Sequence, residues 1–373
     1  MKKLVKRGIC ILLICVSMIN TYRMFFQYNK TVPDLSDQIM ASSANYEQKW
    51  QGDYVIYDEY NNLRIFPYIF GTRMYLYSAK DGTKHLIHRQ LKPFRGLSSD
   101  AAFYGNQILC LGGFAWDMLS DNLLVTLNAG SKFIDLDSAY MYVISSDGIY
   151  YIRDEYDDLT GHRTGQGLYC YHQNTDSSKK ICKVSEYDDL RFIVQEKAFI
   201  INDDTECAYV CNLRTKEITD LSYDTMPDYI TEQDDNTFWG IFENGDVWKY
   251  ETKTMHRTYV CKIDGISDDD WWRIYARYMD GYLYVSNQKG EVVKIHDADG
   301  KQEILVEQSD IPNIKNLDSW YDTEIYFCDS NIVYVVYYEH YDALSQFWYD
   351  STEPIKKLLT FDYQGNLIRT EKG

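Results

Sequence analysis

One two-stranded pattern recurs seven times along this chain of 373 residues, and few folds accommodate it. The clearest copy lies within Met279–Gln308 (MDGYLYVSNQKGEVVKIHDADGKQEILVEQ). There Tyr282, Tyr284 and Ser286 alternate with Leu283 and Val285, and the turn Asn287–Gly290 follows. Val292, Val293 and Ile295 then lead to a second turn, Asp297–Gly300, and Ile304, Leu305 and Val306 close the unit. Apolar residues at every second position between Gly-containing turns specify antiparallel strands. Hairpins of this kind start at Arg73, Asn122, Gly167, Cys207, Asp246, Glu291 and Lys356, 39 to 65 residues apart. Each follows two further strand-like runs, such as LRFIVQ and KAFIIND ahead of Cys207. Four strands repeating at about 40–50 residues is the period of β-propeller blades.

The body shows no long 3.6-residue period, so the expected fold is all-β: a seven-bladed β-propeller of four-stranded antiparallel blades, preceded by an N-terminal signal-anchor helix. A stack of β-sandwiches would not repeat one hairpin seven times. Lys2, Lys3, Lys6 and Arg7 precede the apolar run Gly8–Ile19, the n-region and h-region of an export signal. Small residues at a cleavage spacing are missing just after Ile19, which favours an uncleaved anchor with residue 1 on the cytoplasmic side. The expected organisation is a signal anchor or signal peptide over 1–28, a polar linker over 29–50 and a propeller over 51–373. The protein is then expected at the cell membrane with its propeller on the extracytoplasmic side, or secreted if the N-terminus is cleaved.

Charge narrows the partners. Net charge is −18, and the first 30 residues hold six Lys/Arg and no acid, so the rest carries −24. A body this acidic repels phosphate backbones, which argues against nucleic acid binding. Tyrosine is abundant, at 35 residues, and suits both strands and wet aromatic surfaces. Seven cysteines lie beyond the apolar run, without CxxC or metal-type Cys/His spacing. Cys170 and Cys182 fall on the two arms of one expected hairpin, where a cross-strand disulfide is conceivable.

Two stretches carry a family likeness. DGIYYIRD at Asp147 followed by GLYCYHQNT, and DGYLYVSNQKGEVVKIHDADG at Asp280, resemble the repeats of low-density-lipoprotein-receptor-like (YWTD-type) β-propellers. The nearer likeness is to bacterial exported members of unknown function. The Tyr-Trp-Thr-Asp tetrapeptide itself is absent. The resemblance implies a fold and a setting outside the membrane, and no activity.

In a propeller, connections between second and third strands share one face with connections between blades. Three long second-to-third connections are expected: Phe114–Asp121, Asp154–Gln166 and Glu339–Glu353, in blades 2, 3 and 7. They supply the candidate ligand-binding residues Trp116, Asp117, Tyr156, Asp157, Asp158, Tyr341, Asp342, Trp348 and Tyr349. Aromatic faces stack on sugars or cations, and carboxylates accept hydrogen bonds from hydroxyl and ammonium groups. Two acidic inter-blade connections, Ser185–Asp189 ahead of Arg191 and Ser267–Asp270 ahead of Arg273, join the same face. They read as Asp-to-Arg latches between blades, or more sharply as oxygen ligands for Ca²⁺, the one cofactor considered. The chain has no G-x-S-x-G elbow, H-E-x-x-H or phosphate-binding glycine loop, and no catalytic residue is assigned. The expected function is a membrane-tethered binding or scaffold module, its partner a cell-surface protein, peptide or glycan. The alternative is a carboxylate-dependent glycoside hydrolase or polysaccharide lyase with its site in the axial cleft.

Overall fold

The structure, a computed structural model, describes residues 35, 43–45, 49–59, 73–89, 96–113, 120–126, 130–134, 136, 142–157, 159–172, 174–266, 274–311, 323–336 and 357–372. These form seven antiparallel sheets, each with four strands consecutive in sequence; one of them carries the distant strand Ser43–Asn45 as a fifth at its edge. Sheet 1 comprises Trp50–Gln51, Tyr54–Glu59, Arg73–Ser78 and Lys84–Arg89; sheet 2, Gly96–Tyr104, Gln107–Gly113, Ser120–Thr126 and Gly130–Ile134. Sheet 3 comprises Tyr142–Ser145, Gly148–Tyr156, Arg163–His172 and Ser177–Val184; sheet 4, Asp189–Val194, Lys197–Asn202, Cys207–Asn212 and Ile218–Leu221. Sheet 5 comprises Tyr229–Asp234, Thr237–Ile241, Asp246–Glu251 and Arg257–Lys262; sheet 6, Ala276–Met279, Tyr282–Ser286, Val292–His296 and Gln302–Val306. Sheet 7 comprises Thr323–Phe327, Ile332–Val336, Lys357–Phe361 and Leu367–Lys372. All seven expected hairpins are present as the third and fourth strands of these sheets. Among the described residues the only helical turns are the 3₁₀ segments Tyr223–Thr225 and Gln308–Asp310.

The turn chemistry explains why the strands stop where they do. Asp280 and Gly281, at φ +52° and +85°, form the two-residue turn between Met279 and Tyr282. Positive φ at both positions is the type I′ hairpin turn, which Asp-Gly satisfies at little steric cost.

Seven apolar clusters join the sheets in sequence and then close on the first. Ile56 and Leu76 meet Phe103 and Ile108 between sheets 1 and 2. Leu109 meets Ile149 and Tyr151 between sheets 2 and 3, and Tyr150 and Cys170 meet Ile193 and Ile200 between sheets 3 and 4. Phe199 and Val210 meet Phe238 and Tyr250 between sheets 4 and 5, and Trp239 and Val247 meet Leu283 and Val293 between sheets 5 and 6. Tyr284 and Val292 meet Phe327 and Tyr334 between sheets 6 and 7. The last cluster brings Tyr326, Val333 and Val335 of sheet 7 against Trp50, Tyr57 and Tyr77 of sheet 1. Seven four-stranded sheets joined cyclically form β-propeller repeat architecture.

Because the four main strands of each sheet are consecutive, closure rests on side chains and scattered hydrogen bonds rather than on an exchanged strand. The buried Tyr77 hydroxyl pairs with Thr360 Oγ1 at 2.8 Å, and Asn331 Nδ2 donates to Ala79 O at 2.9 Å. Asp329 N donates to Gly52 O at 3.0 Å, and Ser330 N to Asp53 Oδ1 at 2.8 Å. Lys49 Nζ reaches Glu324 Oε1 at 2.7 Å, with both groups largely withdrawn from water.

Of residues 29–50, expected as a polar linker, Lys49 and Trp50 already belong to the closure of sheet 1 on sheet 7, and two parts further upstream also engage the ring. Leu35 is buried in the cluster between sheets 1 and 2, and its N–H donates to Asn106 Oδ1 at 3.1 Å. Ser43–Asn45 pairs antiparallel with the first strand of sheet 4, Ser43 opposite Val194 and Asn45 opposite Phe192. It also approaches the first strands of sheets 3 and 5, which places it toward the axis. The edge of an inner strand is a row of open backbone donors and acceptors, and any extended segment within reach satisfies it whatever its side chains. Among the described residues no helix is long and apolar enough to cross a membrane, and the expected anchor, residues 1–28, lies outside them.

Candidate functional site

First strands begin, and second strands end, on one face of the ring, here called the upper face. Of the nine residues singled out from the sequence, Tyr156 and Asp157 are described, at the upper end of sheet 3. Trp116, Asp117, Asp158, Tyr341, Asp342, Trp348 and Tyr349 lie outside the described residues. The second and third strands of sheet 3 are the longest pair in their sheet, and they project at this face.

At the tip of the projection Asp157 has a local task. Its Oδ1 accepts from Leu159 N at 3.0 Å, Thr160 N at 2.8 Å and Thr160 Oγ1 at 2.9 Å. These bonds, the backbone and side-chain ones from Thr160 first, hold its carboxyl below the usual carboxylate range. Gly161, at φ +66°, completes the reversal. With Asp157 spent on the turn, Tyr156 and Leu159 project into solvent, 58% and 96% exposed.

The adjoining connection between sheets 3 and 4 presents a second tyrosine. Arg163 joins the projection to this connection: it pairs with Asp154 at 2.8 Å and with Glu186. Beneath them lies Asp188, almost wholly buried. Its carboxylate accepts from Ser185 N at 2.6 Å, from Asn202 Nδ2 at 2.9 Å and from the Tyr209 hydroxyl. Between Glu186 and Asp188, both fixed, Tyr187 is forced to φ +66° and is 65% exposed. A left-handed bulky residue costs roughly 1–3 kcal/mol and persists only where its neighbours over-determine it.

Carboxylates continue around the upper face into sheets 4 and 5. Arg191 pairs with Asp203 at 3.1 Å, and Asp203 also accepts from the Tyr223 hydroxyl at 2.5 Å. The expected Asp-to-Arg latch between neighbouring blades is therefore different in detail. Arg191 reaches across its own sheet to Asp203, while Asp188 fastens the loop. The second copy, Ser267–Arg273, lies outside the described residues. Asp228 Oδ2 accepts from Glu243 N at 2.7 Å. Burial above all pushes the Asp228 carboxyl up to about 6, helped by the Glu243 and Asp203 charges and opposed by that hydrogen bond and Arg191. Burial likewise raises Asp189. Asp203 and Asp228 are not among the sequence candidates, because they sit on short or plain stretches that nothing in the local pattern sets apart; Leu159 lies within the long Asp154–Gln166 connection, but as an aliphatic residue it offers neither an aromatic face nor a charge.

Asp228 makes a testable contribution to stability. Between the ordinary carboxylate range and pH 6, the folded protein holds a proton there that the unfolded chain has released. Stability therefore falls as pH rises through this window, by on the order of 1–3 kcal/mol, and levels off above it. Thermal melts from pH 4 to 7 should show this decline, and Asp228→Asn should flatten it; an unchanged slope in the variant contradicts the assignment.

The upper face is a hydrogen-bond acceptor surface studded with exposed tyrosine and leucine. Among the described residues no group of three or more His, Cys, Asp or Glu side chains is placed to hold a metal ion. At the opposite face Cys170 Sγ lies 3.8 Å from His172 Nδ1, but burial pushes this thiol up to about 12, so it stays protonated and unreactive at neutral pH.

No protein-family model and no curated protein matches the sequence. Solved structures with a similar chain path include the computationally designed Ika8 protein, at 11% identity and TM-score 0.46, covering 91% of this chain and 90% of that one. A chain of a nidogen–laminin complex aligns at 8% identity and TM-score 0.40, covering 67% of this chain and 91% of its own. BamB from Moraxella catarrhalis aligns at 12% identity and TM-score 0.36, over 78% and 80% of the two chains. The assignment of the fold rests on the seven sheets and their cyclic packing, not on these likenesses.

Proposed function

We propose that the protein is a seven-bladed β-propeller held on the extracytoplasmic side of a membrane by residues 1–28, and that its upper face binds a basic segment of a cell-surface protein. The likeness of its Asp147 and Asp280 repeats to exported YWTD-type propellers fits this setting. One observation carries the reading: Tyr156, Leu159 and Tyr187 stand exposed on one face, where the turn-capping Asp157 and the Arg163-paired Asp154 and Glu186 together outnumber the charge of Arg163 and leave the patch acidic. Rigidly held tyrosines lose little entropy on contact, and carboxylates nearby reward lysine or arginine in the partner. Function-bearing loops on a stiff scaffold are the common design.

The test is calorimetric titration of the protein with lysine- and arginine-rich peptides and, in parallel, with neutral glycans. Binding of the basic peptides, weakened by added salt and by at least about tenfold in Tyr156→Ala/Tyr187→Ala, supports the reading. Glycan binding alone would move the partner class to sugars, and affinity unchanged in the double variant would sink the site. Turnover of a polysaccharide would favour the hydrolase or lyase alternative. Against that alternative stands the strand Ser43–Asn45, which occupies part of the inner edge of sheet 4 where an axial cleft would lie.

A further inference from the structure

We propose that Cys182 and Cys211 are a modification site: in an oxidising environment they form a disulfide that staples sheet 3 to sheet 4. Cys182 lies on the outermost strand of sheet 3 and Cys211 on the third strand of sheet 4. Both thiols are free in the structure, with their sulfurs 3.1 Å apart. That is about 1 Å beyond a covalent S–S bond of about 2.05 Å. The two residues share one apolar cluster with Ile181, Tyr209 and Leu213, so the packed sheets already hold the sulfurs together.

From the sequence alone Cys170, on the same hairpin, is a conceivable partner of Cys182. A bulge between Leu168 and Tyr169 shifts the register, leaving Leu168 opposite Cys182 and Cys170 opposite Lys179. The fold thus separates the pair that the sequence places together and joins one that lies in different repeats.

The chemistry balances with an external disulfide as oxidant, either a thiol–disulfide oxidoreductase or a small-molecule disulfide. Cys182, the partly exposed member, attacks one sulfur of the oxidant, forms a mixed disulfide and releases one thiolate. Cys211 then displaces the second thiolate. The oxidant's disulfide takes up two electrons and leaves as two thiols, carrying the two protons that the cysteines gave up. In the reduced protein the hydrogen bond shared by the two thiols lowers Cys211 and raises Cys182; it is lost once Cys182 enters the mixed disulfide, and the short distance between the sulfurs is what favours the second displacement. The bond would also bear on the upper face. Tyr209, on the same strand as Cys211, is the donor that reaches Asp188 beneath Tyr187. This inference does not depend on what the upper face binds.

The full-length protein, incubated with oxidised glutathione, is alkylated without reduction and digested with trypsin. The expected product joins the peptide Ile181–Lys183 to Ala198–Arg214. It should disappear on treatment with dithiothreitol, be absent from Cys182→Ser and Cys211→Ser, and persist in Cys207→Ser, whose cysteine shares the second peptide. The oxidised wild-type protein should melt several degrees higher than the reduced one, with no such difference in Cys211→Ser. Cys182 and Cys211 both recovered as alkylated thiols from oxidised, folded wild-type protein would overturn the proposal, as would linkage of Cys182 to Cys170 or Cys207. The wild-type map stands by itself if a variant fails to fold.

Discussion

Trp239→Ala is expected to lower the unfolding free energy by about 3–5 kcal/mol, among the largest effects of any single truncation in the chain. Trp239 is fully buried in the cluster that joins sheets 5 and 6. Its ring stacks on Tyr278 with centroids 5.9 Å apart, Lys249 Nζ lies 5.3 Å from it, and its Nε1 donates to Gln233 Oε1 at 3.1 Å. The same neighbours meet at Asp297, which accepts from Lys249 at 2.7 Å, Tyr278 at 3.0 Å and Gln233 at 3.3 Å. Alanine leaves a void as large as an indole and frees the Gln233 carbonyl from its donor. The surrounding network spans two sheets and cannot collapse inward without breaking these bonds. Trp239→Phe keeps most of the volume and should cost less than half as much. Urea denaturation followed by circular dichroism measures both; a loss below about 1 kcal/mol for alanine would mean that the interface between sheets 5 and 6 is not packed as described.

Asp188→Ala should cost about 3 kcal/mol or more by a different route. Its buried carboxylate is the common acceptor of a backbone N–H, the Asn202 amide and the Tyr209 hydroxyl. Removing it strands three donors in a site that water does not readily reach, each worth about 1–3 kcal/mol when left unmade, before relaxation returns part of the loss. Asp188→Asn retains one acceptor oxygen and should fall between wild type and alanine. The same change releases Tyr187 from its left-handed conformation. The proposed binding at the upper face should therefore weaken in Asp188→Asn under conditions where the variant is still folded. Denaturant midpoints and peptide titrations on one preparation separate the two effects.

The repeat was legible because its signal is local. Each hairpin has period-two apolar residues flanking a turn rich in Gly, Asn and Asp, and both requirements fall within a stretch that the eye can span. All seven hairpins lie where that pattern puts them. What escaped depends on partners far away in sequence. The three-residue strand Ser43–Asn45 has no periodicity of its own; it is a strand because an inner edge of sheet 4 offers it hydrogen bonds. Leu35 is one of a few scattered apolar residues in a polar stretch until sheets 1 and 2 bracket it. Cys182 and Cys211 belong to different repeats, and only the packing of sheet on sheet brings their sulfurs together.

The candidate site divides in the same way. Tyr156 stood out as an aromatic residue in a long acidic connection, and it is exposed. Asp157 stood out for its charge, yet its carboxylate caps a turn, a role that residue type alone does not separate from ligand binding. Tyr187 lay within an acidic connection noticed for its carboxylates, and its exposure follows from the burial of the next residue, Asp188. Asp297 sits in a turn-forming tetrapeptide, and its link to Lys249 becomes visible only once sheets 5 and 6 are side by side.

A crystal structure of the protein without residues 1–28 tests the ring and its upper face together. It should show sheet 7 packed on sheet 1, with Trp50 against Tyr326, Tyr77 bonded to Thr360, and Tyr156, Leu159 and Tyr187 in solvent on a single face. Sheets 1 and 7 standing apart, or the three exposed side chains turned into a core, would contradict it.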